Sequence, residues 1–171
     1  FLMTQLCWCL SEGVRFMDFD TQKTTVLYLS LEDTKIRLQS RLGTMFGVEW
    51  PGKDMHLTFK IDEKDKSLMQ QMDDFVFDHP DTRLIVIDTL ARAREHDNNT
   101  YSYAMDYKDM LLFKEFADAR DLCLILVHHT RKNTESANPF DQISGTNGLL
   151  GAADGAFVLH REKGEVFLDF V

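Results

Sequence analysis

The chain has 171 residues, 44% of them apolar, enough for one compact domain with a sizeable core. Its formal charge of −9, from 28 acidic against 19 basic residues, excludes a domain that coats nucleic acid electrostatically, so any such contact must come through a few loops or from a neighbouring subunit. No apolar run reaches the ~18–20 residues of a membrane span, and three cysteines, Cys7, Cys9 and Cys123, are too few and too odd in number for a disulfide framework; they fit small core residues in a reduced, cytoplasmic compartment.

Residues 1–10 are apolar on nearly all sides and predict a helix inside a larger fold, with Gly13 as its stop. Cys7 and Cys9 are two apart on that helix, so they point to different faces and cannot share a metal. Residues 26–31 form the first clear strand, closed by Glu32-Asp33. Asp33 is in position to cap a helix running to about Phe46, with Ile36, Leu38, Leu42 and Met45 available for burial and Gly47 ending it. A short strand over 55–60 follows, then a helix marked by Leu68, Met69, Met72, Phe75 and Val76, which Pro80 prevents from continuing.

The run Leu84-Ile85-Val86-Ile87-Asp88-Thr89 is four apolar residues ending in a carboxylate. Without alternation, it suits a strand covered on both faces, as in a parallel sheet. Residues 92–100 read as a polar loop, and a helix to about Arg120 follows, with Tyr107, Met110, Phe113 and Ala117 at helical spacing. Residues 122–127 are a second fully apolar strand, ended by His128-His129. A long loop over 130–146, a short helix over 148–153 and a strand over 155–160 come next, and Lys163-Gly164 turns the chain into a last strand over 166–170. Strands alternating with helices predict an α/β fold: a mostly parallel twisted sheet with helices on both faces, plus a C-terminal antiparallel hairpin.

Parallel strands put all their carboxyl ends at one edge, where ligands of such sheets bind. Glu32-Asp33, Asp88-Thr89 and His128-His129 therefore end three strands at the same edge. For Asp88 the readings are a magnesium-holding acid or a core-strand residue that caps the next turn. Asp33 and His128 read more simply as a helix cap and a satisfied core residue. No Gly-x-Gly-x-x-Gly turn marks a redox dinucleotide site, no Gly-x-Ser-x-Gly marks a nucleophilic hydrolase, and the histidines lack a partner at zinc-ligand spacing. A carboxylate for magnesium, a second for water and a polar sensor for phosphate together fit nucleotide hydrolysis.

The pieces Leu29-Ser30-Leu31-Glu32-Asp33 with Arg41-Leu42, Leu84 to Thr89, Val127-His128-His129-Thr130-Arg131-Lys132, Ser144-Gly145-Thr146 through Ala153-Asp154, and His160-Arg161-Glu162 resemble, in order and spacing, the RecA-like P-loop NTPase core of RepA-type hexameric replicative helicases, found in plasmids, phages and mobile elements. The resemblance covers almost the whole chain and implies one ATPase domain over 1–171 that uses ATP and Mg2+. It implies that Glu32 activates the attacking water, that Asp88 holds the magnesium with Thr89 beside the nucleotide, and that His129 senses the γ-phosphate. Arg161 and Lys163 resemble candidates for a finger inserted into a neighbour's site, the simpler reading being a solvated hairpin. Arg92 and Arg94, with Arg131 and Lys132, resemble the DNA-facing loops of such a ring, which implies single-stranded DNA and a homo-oligomer, a hexamer, as partners, and no membrane.

No Gly-x-x-x-x-Gly-Lys-[Ser/Thr] occurs in these residues. Because Phe1 opens the apolar helix that should follow such a loop, the expectation is that the motif directly precedes it. Two other readings stay open: a RecA-type recombination or repair ATPase, and a non-hydrolysing nucleotide-binding or scaffold module.

Overall fold

The computed structural model describes residues 1–62, 66–94, 103–130, 140, 143 and 148–171, the side chains of 103–106 and 148 excepted. In chain order its elements are α1 (Leu2–Glu12), β1 (Thr25–Ser30), α2 (Lys35–Phe46), β2 (Met55–Thr58), α3 (Leu68–Asp78), β3 (Thr82–Asp88), α4 (Leu90–Arg94), α5 (Tyr103–Ala119), β4 (Cys123–Val127), α6 (Gly148–Gly151), β5 (Phe157–Glu162) and β6 (Glu165–Phe170). They fall into two compact units, one of Phe1–Asp97 with Arg120–Val127, the other of Asn98–Ala119 with His128–Val171.

The first unit is built on a four-stranded, wholly parallel sheet in the order β2-β1-β3-β4. Every residue of β1 is buried, and so is the run Leu84–Ile87 of β3. That is the physical reason these strands read as unbroken apolar runs: both faces are covered, so neither can be polar. β4, at the sheet edge, is only partly buried although its sequence is as apolar as that of β3. The sheet and the C-terminal antiparallel strand pair together make the mixed α/β architecture of a P-loop NTPase fold.

Helix α1 departs from the expectation of an all-apolar helix buried all round. Its most buried residues are the small ones, Thr4, Cys7, Cys9 and Ser11, while Met3, Leu6, Trp8 and Leu10 are half-buried against the core. Thr4, Cys7 and Ser11 form a stripe at i, i+3 and i+7, and small side chains there let the helix approach the sheet closely. Trp8 then stacks on Phe46 of α2 with ring centroids 3.8 Å apart. Gly13 ends α1 at φ 70, and a β-carbon there would stand 3.0 Å from that of Lys23, so glycine is required by conformation and by space.

Helix α2 starts one residue later than predicted. Thr34, not Asp33, is the N-cap and accepts from the Arg37 N–H at 3.3 Å, which frees the Asp33 carboxylate to pair with Arg41. Leu38 and Leu42 are fully buried, but Ile36 is 78% exposed; Leu38 joins the core of Cys7, Val26, Tyr28, Met55, Leu84 and Val86. Helix α3 opens with a complete capping box between Ser67 and Gln70 and buries Met72. The expected polar loop from residue 92 begins instead as helix α4, held by a hydrogen bond from the Ala93 N–H to the Thr89 carbonyl (3.1 Å) and by the buried Leu90. No helix among the described residues is long and apolar enough to cross a membrane.

In the second unit, α5 buries Phe116, and Lys114 bridges Asp154 and Asp118. β5 and β6 form an antiparallel hairpin whose turn, Lys163-Gly164, has φ 49 and 89, the two left-handed residues of a type I′ turn. β5 runs two residues beyond the predicted end at His160, so Arg161 is a strand residue paired with Val166.

Leu38→Ala is expected to cost about 2–5 kcal/mol, because it opens a cavity in a filled core, whereas Ile36→Ala two residues away stays within about 0.5 kcal/mol; urea denaturation of both variants checks the contrast. The Cys7 thiol is fully buried, and burial, followed by the nearby Asp88 charge, pushes its pKa well above the usual thiol range. A raised pKa means less thiolate at a given pH. At pH 8 a maleimide should therefore label Cys123, which is exposed, and label Cys7 only after unfolding, as peptide mass spectrometry would read.

Candidate active site

Strand order places the site. β1 leads through α2 to β2 on one side of it, while β3 leads on to β4 on the other, so the loops leaving β1 and β3 diverge. A crevice at the carboxyl ends of the strands opens at such a switch point. The residues at these strand ends are Ser30, Leu31, Glu32 and Asp33 at the end of β1, and Asp88 and Thr89 at the end of β3.

The two strand ends are tied together in three ways. Ser30 is paired with Asp88 in the ladder, and the Leu31 N–H donates to the Asp88 carbonyl at 2.7 Å. The Tyr28 hydroxyl, on β1, donates to Asp88 Oδ2 at 2.7 Å. In the opposite direction, the Thr89 hydroxyl donates to Glu32 Oε1 at 2.6 Å. The Asp88–Thr89 peptide is cis. Each strand thus contributes a hydroxyl to the other strand's carboxylate. Tyr28 and Thr89 are each 1% exposed, Asp88 is half-buried, and Glu32 is exposed.

The electrostatics follow from this packing. The Tyr28 phenol is pushed above its usual range, first by burial, then by the charge of Asp88 and the hydrogen bond to it; it remains a neutral donor. Arg41 joins the start of α1 to the end of β1: it is paired with Asp33, and its guanidinium stands 5.0 Å from the centre of the Phe1 ring.

Oxygen donors dominate the crevice. Asp88 and Glu32 supply carboxylates, and Ser30 Oγ, 1% exposed and on the same sheet face as Asp88, has no hydrogen-bond partner among the described residues. Hard oxygen donors, few in number, suit Mg2+, which keeps several waters and takes one or two carboxylates beside the phosphates of a nucleotide. Asp88 and Ser30 are the described groups that could take such an ion and one of its waters.

The other predicted residues are placed as follows. His129 is the second residue after β4, whose last residue, Val127, pairs with Asp88; it is exposed, belongs to the second unit, and its N–H donates to His128 Nδ1 at 2.8 Å. Arg92 and Arg94 lie on α4, directly after Thr89, Arg92 exposed and Arg94 half-buried. Arg131 and Lys132 lie outside the described residues, as do residues 144–146. Arg161 and Lys163 are exposed on the hairpin of the second unit, Lys163 3.6 Å from Glu162. Tyr28 and Ser30 were not singled out from the sequence, because within an apolar strand both read as ordinary core positions.

A search of curated proteins finds no match. A family model described as AAA domain matches residues 1–135, which takes in α1, the parallel sheet and both acidic strand ends. The chain therefore belongs to the AAA domain family and carries that family's ATPase-type core.

Proposed function

We propose that this chain is the ATP-hydrolysing motor core of a replicative DNA helicase of the RepA type, coupling turnover to movement along single-stranded DNA. One observation carries this reading: Glu32 and Asp88, on neighbouring strand ends at the switch point, are held by reciprocal hydroxyl bonds, and Arg41, paired with Asp33 at the end of β1, stands over the Phe1 ring at the amino end of α1. The amino end of a helix is where a phosphate chain is bound, because backbone N–H groups and the helix dipole point at it.

Bound Mg2+ would neutralise charge on the β- and γ-phosphates, as in phosphoryl transfer generally. In this reading the chain's own residues do the rest. Asp88 and Thr89 border the nucleotide, with Asp88 holding the ion. Glu32, exposed and at the mouth of the crevice, orients the attacking water and takes its proton. The Thr89 hydroxyl bond fixes the glutamate's direction, and a positioned base of this kind contributes about 10²–10⁴ in rate. His129 responds to loss of the γ-phosphate and passes it to the segment that follows, which includes Arg131 and Lys132. These two, with Arg92 and Arg94, would contact DNA phosphates, giving local contacts despite the acidic total.

Arg161 or Lys163 would reach into a neighbour's site, which makes a closed ring, a hexamer, the working form. The hairpin suits that role, since both cations are exposed, Lys163 on the two-residue turn and Arg161 on its flanking strand. A cation inserted in trans is worth about 10³–10⁵ in rate.

In the full-length protein, Glu32→Gln is expected to bind ATP as the wild type does but to turn it over at least ~10²-fold more slowly, with single-stranded DNA stimulating the wild type alone; wild-type turnover in this variant would remove Glu32 from the mechanism. Arg161→Ala and Lys163→Ala should separate in the same assay. The finger variant loses turnover by ~10³-fold or more while binding nucleotide normally, and regains it in mixed rings with Glu32→Gln subunits, whose own cation is intact.

A further inference from the structure

Asp88 offers two carboxylate oxygens, and only one of them has a protein donor on β1. The Tyr28 hydroxyl holds Oδ2 at 2.7 Å, from a ring that is 1% exposed and packed among Cys7, Val26 and Val86. We propose that Tyr28 is a positioning residue for the divalent cation of this site: by fixing Oδ2 it turns Oδ1 of Asp88 towards the ion and holds it there before the ion arrives. The inference rests on the reading of Asp88 as the magnesium acid.

Three features make the pairing more than a satisfied core hydroxyl. First, the donor is neutral. A lysine or arginine at this point would offset the negative charge that attracts the ion, whereas a phenol orients the carboxylate and leaves its charge in place. Second, the donor cannot drift, since its ring is locked in a filled core and sits on the strand that also leads into Glu32, so both carboxylates share one frame. Third, Ser30, two residues on and on the same sheet face, carries a buried hydroxyl that has no partner among the described residues, while Tyr28 itself is satisfied. That hydroxyl stands next to Asp88 in the ladder, where an ion's bound water would be accommodated.

Removing a hydrogen-bond partner that orients a metal-binding carboxylate typically costs 10–100-fold in metal affinity. The test uses the full-length protein with Mn2+ as a paramagnetic substitute for Mg2+ and a non-hydrolysable ATP analogue, read by electron paramagnetic resonance. Binding of the same analogue in EDTA and the thermal midpoint are measured in parallel. Tyr28→Phe keeps the ring and loses the hydroxyl; it is expected to weaken Mn2+ binding by about 10-fold while analogue binding in EDTA stays unchanged. Equal Mn2+ affinity in Tyr28→Phe and wild type, with Asp88→Asn weakened, would overturn the role of Tyr28 and leave the Asp88 reading standing. Equal affinity in Asp88→Asn and wild type would overturn the Asp88 reading itself, and the inference with it. Should Tyr28→Phe not fold, 3-fluorotyrosine at position 28 keeps ring and hydroxyl: its fluorine resonance should shift on saturation with Mg2+ and analogue, and an unmoved resonance counts against the proposal.

Discussion

The pairing of Ser30 with Asp88, at the last rung of the β1–β3 ladder, is the constraint on which the site depends. Both strands are covered on both faces, so a slip of one residue would exchange the side chains packed with Cys7 of α1 for those of the opposite face and mismatch the packing on each. The register that buries Val26, Tyr28, Leu84 and Val86 on one face is therefore the same register that sets Glu32 and Asp88 side by side. Burying each such side chain contributes about 1.5–3 kcal/mol, so the geometry of the acids is held by the core and not by the acids themselves. The two hydroxyl–carboxylate bonds refine direction within a spacing the sheet has already set.

That division of labour explains which parts could be read from the residues. The strands were legible because burial on both faces keeps Val26–Leu29 and Leu84–Ile87 apolar and leaves polar residues to the strand ends. The change from Ile87 to Asp88, or from Leu31 to Glu32, marks that exit as clearly as any motif. The order of the elements then puts the exits at one edge, and the family match over residues 1–135 agrees with the ATPase-type core so predicted. What did not show was anything decided by a neighbour distant in sequence. Tyr28 in an apolar run looks like filling, and its partner, Asp88, is 60 residues away.

Local competition accounts for the remaining differences. Asp33 and Thr34 are both good N-caps, and the choice fell to Thr34 because Arg41 and Arg37 sit where they can pair with the Asp33 carboxylate. The run from Arg92 reads as the start of a polar loop, yet once Leu90 is buried the chain gains a helical turn from the Thr89 carbonyl. In α1 the large apolar residues pointed to burial on all sides, but close packing on a sheet selects small side chains, so Thr4, Cys7 and Ser11 take the innermost stripe. Hydropathy ranks residues by cost of exposure, and it does not rank them by how near a helix must come.

An acidic chain can still act on a polyanion, because charge works at two ranges. The net charge of −9 repels DNA at long range, but that repulsion is screened over about 8–10 Å at physiological salt. Within that distance only local charge matters. Arg92 and Arg94 lie in the first turns after Asp88 and Thr89, so the chain passes directly from the acid proposed to hold the cation to two of the cations proposed for DNA. A rearrangement at the Asp88–Thr89 corner reaches α4 through the Thr89 carbonyl, which is the first acceptor of that helix. Thr89 is thereby bonded on both sides, its hydroxyl to Glu32 and its carbonyl to Ala93. If the proposed hydrolysis moves Glu32, Thr89 offers a path of two hydrogen bonds from that carboxylate to the first turn of α4.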